Sequence, residues 1–476
     1  MTRLDTIRAR IDHPVIDSDG HHVEFLPLVK DFLGDIAGPG TVSAFEQVTE
    51  ASALGRQLDA QTRRQLNMSR MPWWGLPTGN TLARATAMLP RLMHERLEAL
   101  GIDFAVLYPT YGLIPIHLDD EELRRSTCRA FNQYAAACYE EYSDRLTAAA
   151  CIPMHTPEEA IEELDHAVGT LGLKVVMLSA YASRPYQGSD LPRGARWLDF
   201  FGFDSVYDYD PVWKRCEELG VSPTFHSTGT GWGSRSSVSN YVYNHVGNFA
   251  AAGEGAARAL FLSGVPWRFP GLRFAFLEGG VAWACSLYAD ILGHWEKRNR
   301  SHIGHYDPAK LDRGKLEALF SEYGPDAFRE RLGRMDESLA LLSDPDEDRS
   351  ALDEFSRCAI EGPDDIRDIF VSRFHFGCEA DDPLNALAFQ AHMNPGDARI
   401  KAVFSSDIGH WDVPDMTEVL PEAYELVDKG LLSPADFRDF VFAFPVSLWA
   451  ETNPDFFRGT AVEQSVDAIR PATPVT

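Results

Sequence analysis

The sequence predicts an α/β protein with a (β/α)8 TIM-barrel fold and insertions. Short apolar segments alternate with amphipathic segments along the chain, and eight such βα units favour a closed barrel over an open doubly wound sheet. The apolar segments are mostly hydrophobic throughout, as expected of parallel strands that are buried on both faces. We therefore expect a single domain over residues 1–476, with excursions outside the barrel at about 27–90 and 301–365.

Each predicted strand is a short apolar run flanked by turn or helix signals. The eight runs cover residues 14–19, 103–110, 146–154, 173–180, 221–226, 272–280, 368–377 and 400–407. Apolar residues at helical spacing predict a helix over 119–145, and Thr156 and Pro157 are the predicted N-cap and first residue of the next helix. No Gly-rich phosphate-binding run opens a helix after the first strand, so no nucleotide-binding fingerprint is predicted.

The composition narrows the classes of function. The chain has 476 residues, 45% of them hydrophobic, and a net charge of -27, which argues against a nucleic-acid partner. The seven scattered cysteines form no Cys-x-x-Cys pair, which predicts reduced thiols. The N-terminus has no apolar signal-peptide region, and no apolar run approaches the ~20 residues of a membrane span. We expect a cytoplasmic protein that forms a homodimer or larger homo-oligomer, acts on a small molecule and has no membrane partner.

Metal-capable side chains follow the ends of several predicted strands. The segment "VIDSDGHHVEF" at 15–25 places three acids and two histidines behind the first strand. His226 ends the fifth strand, Glu278 the sixth and Asp407 the eighth. His410 follows three residues after Asp407. Because the carboxyl ends of barrel strands share one mouth, these side chains should converge there, where imidazole and carboxylate can bind zinc, iron or manganese.

Each of these groups also has an ordinary structural explanation when it is taken alone. An Asp-x-His pair can belong to a turn, His226 can end a core strand, and Asp407 can be a helix N-cap. His245 in "NHVGNF" can be a solvent-facing residue at the start of a helix. The agreement of three separate strand ends favours metal binding over these explanations.

The chain contains, in this order, the segments "IDSDGHHVE", "FHSTGTG", "RFPGLRFAFLEGGVAW" and "FSSDIGHWD". Together they resemble the amidohydrolase-related family (amidohydrolase 2), in particular its aminocarboxymuconate-semialdehyde decarboxylase branch, over about residues 12–450. The resemblance implies a TIM barrel that binds one divalent ion and leaves an open position for water or substrate. The ligands that it implies are Asp19, His21, His226 and Asp407.

The sixth strand departs from this family pattern. Relatives often have a histidine in a "HGG"-like run there, acting as an acid or base, whereas this chain has "EGG" with Glu278. Glu278 can act as a general base, or it can bridge to a second ion. The additional imidazoles predicted for that ion are His245 and His410. A second cation would remove the repulsion between Glu278 and the neighbouring carboxylates of Asp19 and Asp407.

The leading functional prediction is an enzyme, either a metal-dependent hydrolase or a carboxy-lyase, that acts on a small carboxylate-bearing substrate. The divalent ion, zinc or else iron or manganese, would activate a water or polarise the substrate. Asp407 would be a ligand and proton acceptor, and Glu278 or His410 would move protons. The alternative is a dinuclear iron or manganese oxygenase on the same barrel. The intact set of four ligands argues against a non-catalytic subunit that has lost its site.

Overall fold

The computed structural model describes residues 2–71, 78–186, 195–229, 231–340 and 353–470. Within these ranges the strands form one eight-stranded sheet and one two-stranded sheet. In chain order they are β1 (Ile16–His22), β2 (Phe104–Pro109), β3 (Leu146–Ile152), β4 (Val175–Leu178), β5 (Ala182–Pro185), β6 (Arg196–Asp199), β7 (Pro223–Phe225), β8 (Phe274–Phe276), β9 (Phe374–Glu379) and β10 (Lys401–Ser405).

The large sheet closes into a barrel. Its strand order is β1-β2-β3-β4-β7-β8-β9-β10, and its neighbouring strands are parallel. Backbone hydrogen bonds join β1 to the segment after β10: His21 N donates to Ile408 O over 2.9 Å, and Asp407 N donates to Asp19 O over 3.0 Å. The predicted (β/α)8 TIM barrel with insertions is confirmed.

Helices surround the barrel and form most of the inserted segments. The α-helices of the described ranges are α1 (Arg3–Arg8), α2 (Leu26–Gln57), α3 (Ala60–Gln65), α4 (Thr81–Met88), α5 (Pro90–Leu100), α6 (Glu121–Tyr139), α7 (Pro157–Leu164), α8 (Asp210–Leu219), α9 (Tyr241–His245), α10 (Asn248–Leu262), α11 (Val265–Arg268), α12 (Ala282–Arg298), α13 (Arg313–Tyr323), α14 (Asp326–Arg329), α15 (Met335–Leu339), α16 (Pro363–Arg373), α17 (Asn385–Phe389), α18 (Val419–Asp428), α19 (Pro434–Arg438), α20 (Phe444–Ala450) and α21 (Glu463–Ile469). Among them, none has the length and apolar character needed to cross a bilayer.

Helix α7 begins as its sequence predicts. The Thr156 side chain accepts a hydrogen bond from Glu159 N, the Glu159 carboxylate accepts one from Thr156 N, and Pro157 occupies the first turn. This reciprocal capping box satisfies two backbone donors that the first turn would otherwise leave unpaired.

The seventh strand begins later than the predicted range 368–377. Helix α16 extends to Arg373, and β9 begins at Phe374. Pro363 and two aspartates in the first turn favour the start of a helix, and the buried Ile366 and Phe370 are four residues apart, as on one helix face. The apolar run therefore belongs to a helix over most of its length.

The two predicted excursions contain helices α2 to α4 (27–90) and α13 to α15 (301–365). Helix α2 is kinked at Gly38, where the backbone leaves helical geometry and Pro39 follows. The assignment of residues 1–476 to a single domain stays a prediction.

An irregularity in β1 lies next to the barrel mouth. Asp17 pairs with Ala105 and Gly20 pairs with Leu107, so β1 contains one more residue than β2 over this interval. Such a bulge changes the direction of the following side chains. Glycine is required at position 20, because a Cβ there would lie 2.7 Å from Asp17 Oδ2.

Candidate metal centre

Six of the seven predicted ligand residues lie together at the carboxyl ends of the barrel strands. Each is at most 8% exposed. Asp19 and His21 come from β1, and the others follow the ends of β7, β8 and β10. The six residues are Asp19, His21, His226, Glu278, Asp407 and His410.

His21 lies at the centre of this cluster. Its Nε2 is 3.3 Å from Asp407 Oδ1, 3.6 Å from Asp19 Oδ1 and 3.3 Å from His226 Nε2. Ligand atoms that each lie ~2.1 Å from one ion are roughly 3.0–3.5 Å apart. The spacing therefore suits donors that surround a common ion.

Glu278 joins the cluster from the end of β8. Its Oε2 lies 3.0 Å from His226 Nε2 and 3.9 Å from His21 Nε2. Glu278 has a φ of 55° and Asp407 a φ of 50°, in the left-handed region that residues other than glycine rarely adopt. Both carboxylates thus reach the cluster from turns that follow a strand directly.

His410 contacts the same Asp407 oxygen as His21. Its Nδ1 is 2.7 Å from Asp407 Oδ1, and its ring stacks on the His21 ring with 3.6 Å between centroids. The Thr110 hydroxyl, directly after β2, lies 3.2 Å from His410 Nε2. Two groups of potential ligands result, which share His21: one adds Asp19 and His226, the other adds Glu278, Asp407 and His410.

His245 lies outside both groups. Its ring packs against Tyr241 and Trp411, with centroids 5.2 and 5.5 Å away, and it lines a cavity together with Glu278. His245 is therefore near Glu278 but not among the converging ligand atoms.

Two other residues of the first strand have structural surroundings. Asp17 accepts a hydrogen bond from Ser406 N over 2.9 Å and thereby ties β1 to the segment after β10. His22 points toward α6, where its ring lies 5.1 Å from that of Tyr139. In the segment 15–25, Asp19 and His21 therefore lie in the metal-capable cluster, whereas Asp17 and His22 have structural contacts.

Sequence reasoning missed two contributors to the cluster. Thr110 follows β2 directly, as His226 follows β7, but the sequence prediction covered imidazoles and carboxylates and not hydroxyls. The nearby charge of Asp412, which ends the "FSSDIGHWD" motif, contributes after burial to raising the pKa values of Asp407 and Glu278. The signal that could have identified Thr110 and Asp412 is their position after a strand, Thr110 after β2 and Asp412 after β10.

Burial and repulsion control the ionisation of the cluster. Burial raises the pKa values of Asp19, Glu278 and Asp407 well above their usual range, and neighbouring carboxylates raise them further. Burial lowers the pKa of His226 to about 3 and that of His21 well below its usual value. Neutral imidazoles are the form that binds metals.

The residues present fit a divalent metal ion. No arginine or lysine of the described ranges pairs with Asp19, Glu278 or Asp407. Asp19 Oδ1 and Asp407 Oδ2 are buried without a hydrogen-bond partner in the same part of the chain. Buried carboxylates need a compensating charge, and a mixed imidazole and carboxylate set suits zinc, manganese or iron. The assignment of individual ligands stays a prediction.

Comparison with known proteins relates part of the chain to one protein family. Residues 92–328 match the family model Amidohydro_2, described as amidohydrolase. Over these residues the chain is similar to the amidohydrolase family. No curated protein sequence matches the chain significantly.

Several solved structures align with nearly the whole chain. An amidohydrolase from Mycobacterium avium subsp. paratuberculosis K-10 is 17% identical, covers 92% of this chain and 100% of its own, and has a TM-score of 0.50. A dihydroxybenzoic acid decarboxylase from Polaromonas sp. JS666, with bound manganese and 2-nitroresorcinol, is 16% identical over 94% and 99% of the two chains, with a TM-score of 0.48. A 5-carboxyvanillate decarboxylase from Novosphingobium aromaticivorans DSM 12444, with bound manganese, is 13% identical over 92% and 96%, with a TM-score of 0.46. The first of these supports the fold.

Proposed function

We propose that this enzyme is a metal-dependent carboxy-lyase that removes CO2 from a small carboxylate-bearing organic substrate. The observation that carries the proposal is the buried cluster of imidazoles and carboxylates at the barrel mouth, with Glu278 3.0 Å from His226. The resemblance of its motifs to the decarboxylase branch of the amidohydrolase family supports the same reaction.

Four side chains would hold one divalent ion. They are Asp19, His21, His226 and Asp407. When bound, the ion supplies positive charge that binds and polarises the carboxylate or a neighbouring oxygen of the substrate. His410, 2.7 Å from Asp407 Oδ1 and 3.2 Å from the Thr110 hydroxyl, would fix the orientation of the Asp407 carboxylate.

Decarboxylation needs a proton donor, and Glu278 is placed to serve as one. The bond between the substrate carbon and its carboxylate breaks, and the electron pair remains on the substrate carbon. That carbon takes a proton from Glu278, and CO2 leaves. The cluster residues are nearly inaccessible to solvent, and a carboxylate that has lost its hydration shell gives up its localised charge more readily. Burial therefore favours decarboxylation over hydrolysis, the other reaction predicted for this site.

The direct test is release of CO2. Purified protein loaded with manganese, zinc or iron(II) is offered a panel of hydroxy- and amino-substituted benzoates and short dicarboxylates, and CO2 is measured together with the product. We expect metal-dependent CO2 release with one product proton derived from solvent. Hydrolytic cleavage of esters or amides without any CO2 release would overturn the proposal.

A dinuclear oxygenase is the second candidate, because the ligand atoms fall into two groups that share His21. In that arrangement Glu278, Asp407 and His410 would hold a second iron or manganese ion. Oxygen consumption that depends on substrate, together with two bound redox-active ions per chain, would favour this candidate over the carboxy-lyase.

A further inference from the structure

A cavity of about 200 Å³ adjoins the metal-capable cluster. It lies between the start of α10 and the segments that follow β8 and β9. We refer to it as the Glu379 cavity, and the residues that matter to its chemistry are His245, Asn248, Phe249, Glu278, Glu379 and Asp382. Glu278 is common to this cavity and to the ligand cluster, so a molecule could contact both.

The Glu379 cavity is strongly acidic. Three of its lining side chains are carboxylates, and no lysine or arginine is found among its described lining residues. Neither Glu379 nor Asp382 forms an ion pair within the described ranges, and Glu379, the last residue of β9, is largely buried. Partly desolvated carboxylates without a counter-charge are unfavourable. The cavity is therefore complementary to a cation.

A buried amide supplies an independent indication of a ligand. Asn248, the first residue of α10, is only 2% exposed and lines the cavity. Neither its Oδ1 nor its Nδ2 has a hydrogen-bond partner in the part of the chain that the structure describes. An unpaired buried amide costs ~1–3 kcal/mol, and native proteins usually satisfy such groups. A polar ligand in the cavity would satisfy it.

The shape of the cavity favours an organic cation over a bare metal ion. Within the described ranges, three or more metal-capable side chains converge only in the neighbouring cluster. Neither group of that cluster contains Glu379, Asp382 or His245. The volume is several times the ~30 Å³ that one water occupies in the liquid. It accommodates a substituent of several heavy atoms beside the Phe249 ring.

We propose that the Glu379 cavity binds a protonated amine of the substrate, with Glu379 and Asp382 as counter-charges and Asn248 Oδ1 as a hydrogen-bond acceptor. This inference rests on the proposed function and deepens it: the substrate is a zwitterion whose carboxylate reacts at the ligand cluster while its ammonium group is held beyond Glu278. Charge-assisted hydrogen bonds of this kind fix orientation as well as adding affinity.

Equilibrium binding of a small probe tests the cavity without requiring turnover. Manganese-loaded protein is titrated with benzylammonium and with its uncharged analogue benzyl alcohol, and binding is followed by ligand-observed NMR at constant pH. The variants are Glu379→Gln and Asp382→Asn. The matched control is Asp381→Asn, which removes the same charge from the adjacent, exposed position that does not line the cavity.

We expect benzylammonium to bind at least about tenfold more tightly than benzyl alcohol, and each cavity variant to weaken it by about tenfold while Asp381→Asn changes it less than about twofold. Equal binding of the two probes, or equal effects of Asp382→Asn and Asp381→Asn, would overturn the proposal. So would displacement of benzylammonium by a second equivalent of manganese, which would make the cavity a metal site. Absence of CO2 release leaves this binding result intact and counts only against the carboxy-lyase.

Discussion

Glu278 Oε2 lies 3.0 Å from Nε2 of His226. The family resemblance predicts a histidine at position 278, and this chain has a carboxylate there instead. Glu278 shares with Asp407 a left-handed backbone conformation, which costs a residue other than glycine of the order of 1–3 kcal/mol. The two turns bring both carboxylates to His21, whose Nε2 lies 3.3 Å from Asp407 Oδ1 and 3.9 Å from Glu278 Oε2. Two of the seven non-glycine residues with positive φ in the described ranges are therefore residues to which we assign proton transfer or metal binding.

Replacement of Glu278 by glutamine separates a proton donor from a metal ligand. If Glu278 is the donor beside a single ion, wild type and Glu278→Gln both bind one equivalent of manganese, and only the variant loses CO2 release, by at least roughly 100-fold. Metal content by mass spectrometry and turnover are measured on the same preparations, with the exposed Glu361→Gln as control. Two equivalents in wild type falling to one in the variant would support the dinuclear alternative.

His21 is shared by both groups of ligands, so its loss should affect every version of the site. We expect His21→Ala to lower manganese affinity at least roughly tenfold while the circular dichroism spectrum is retained. The control is His22→Phe, because the neighbouring ring packs against Tyr139 and neither of its nitrogens is hydrogen-bonded within the described ranges. Equal metal loss in the two variants would contradict the assignment of His21 as a ligand.

Substitution of Gly409 tests whether the turn between Asp407 and His410 must keep its conformation for metal binding. Its φ is 100°, and a Cβ there would lie 2.9 Å from His21 O. Gly430 has a φ of 69° with no atom within 4 Å of such a Cβ. We expect Gly430→Ala and Gly409→Ala both to lose about 1 kcal/mol or more of stability from backbone strain. Only Gly409→Ala should also lose metal affinity, as measured by manganese titration. Unchanged affinity in Gly409→Ala would show that the turn tolerates displacement.

The burial of His375 is expected to make the folded state less stable in acid. It lies at the amino-terminal end of β9, buried, with Nε2 2.8 Å from Ser447 Oγ. Burial lowers its pKa well below 6.5, and the nearby charges of Lys401 and Arg273 lower it further. The folded state therefore keeps this ring neutral, whereas the unfolded chain takes up a proton as the pH falls below 6.5.

Stability should consequently fall below pH 6.5, by up to ~1.4 kcal/mol per pH unit for this one proton. Urea unfolding at pH 5.0, 6.0 and 7.5 compares wild type with His375→Gln and with the exposed His392→Gln. We expect the stability difference between wild type and His375→Gln to shrink or reverse toward pH 5.0. A difference that does not change with pH would contradict the neutral buried state of His375.

The barrel was predictable because most of its strands lie in short apolar runs, and the metal-capable cluster because polar residues follow several of those runs directly. Position after a strand brought His226, Glu278 and Asp407 to one mouth, but the same rule does not reveal side-chain direction. His245 has a suitable side chain and yet lies outside both groups of ligand atoms. That difference depends on turns and on the start of α10, which single-sequence patterns do not specify.

In one segment the sequence signals for a strand and for a helix overlap. The run at 368–373 is apolar enough for a strand, but Pro363 and the acids after it begin a helix that continues through the run to Arg373. The bulge before Gly20 and the left-handed backbone of Glu278 leave no mark in the pattern of apolar residues. These features arise from tertiary contacts, such as the approach of Ile408 to Gly20, rather than from residue preference.

The backbone bonds between β1 and the segment after β10 have a consequence for synthesis. Asp19 and His21 leave the ribosome long before Asp407 and His410 are made. Until then the early histidine and carboxylate lack the partners that would retain an ion. Metal acquisition should therefore be a late event that coincides with barrel closure, and a nascent chain arrested before residue 400 should retain no ion after dialysis.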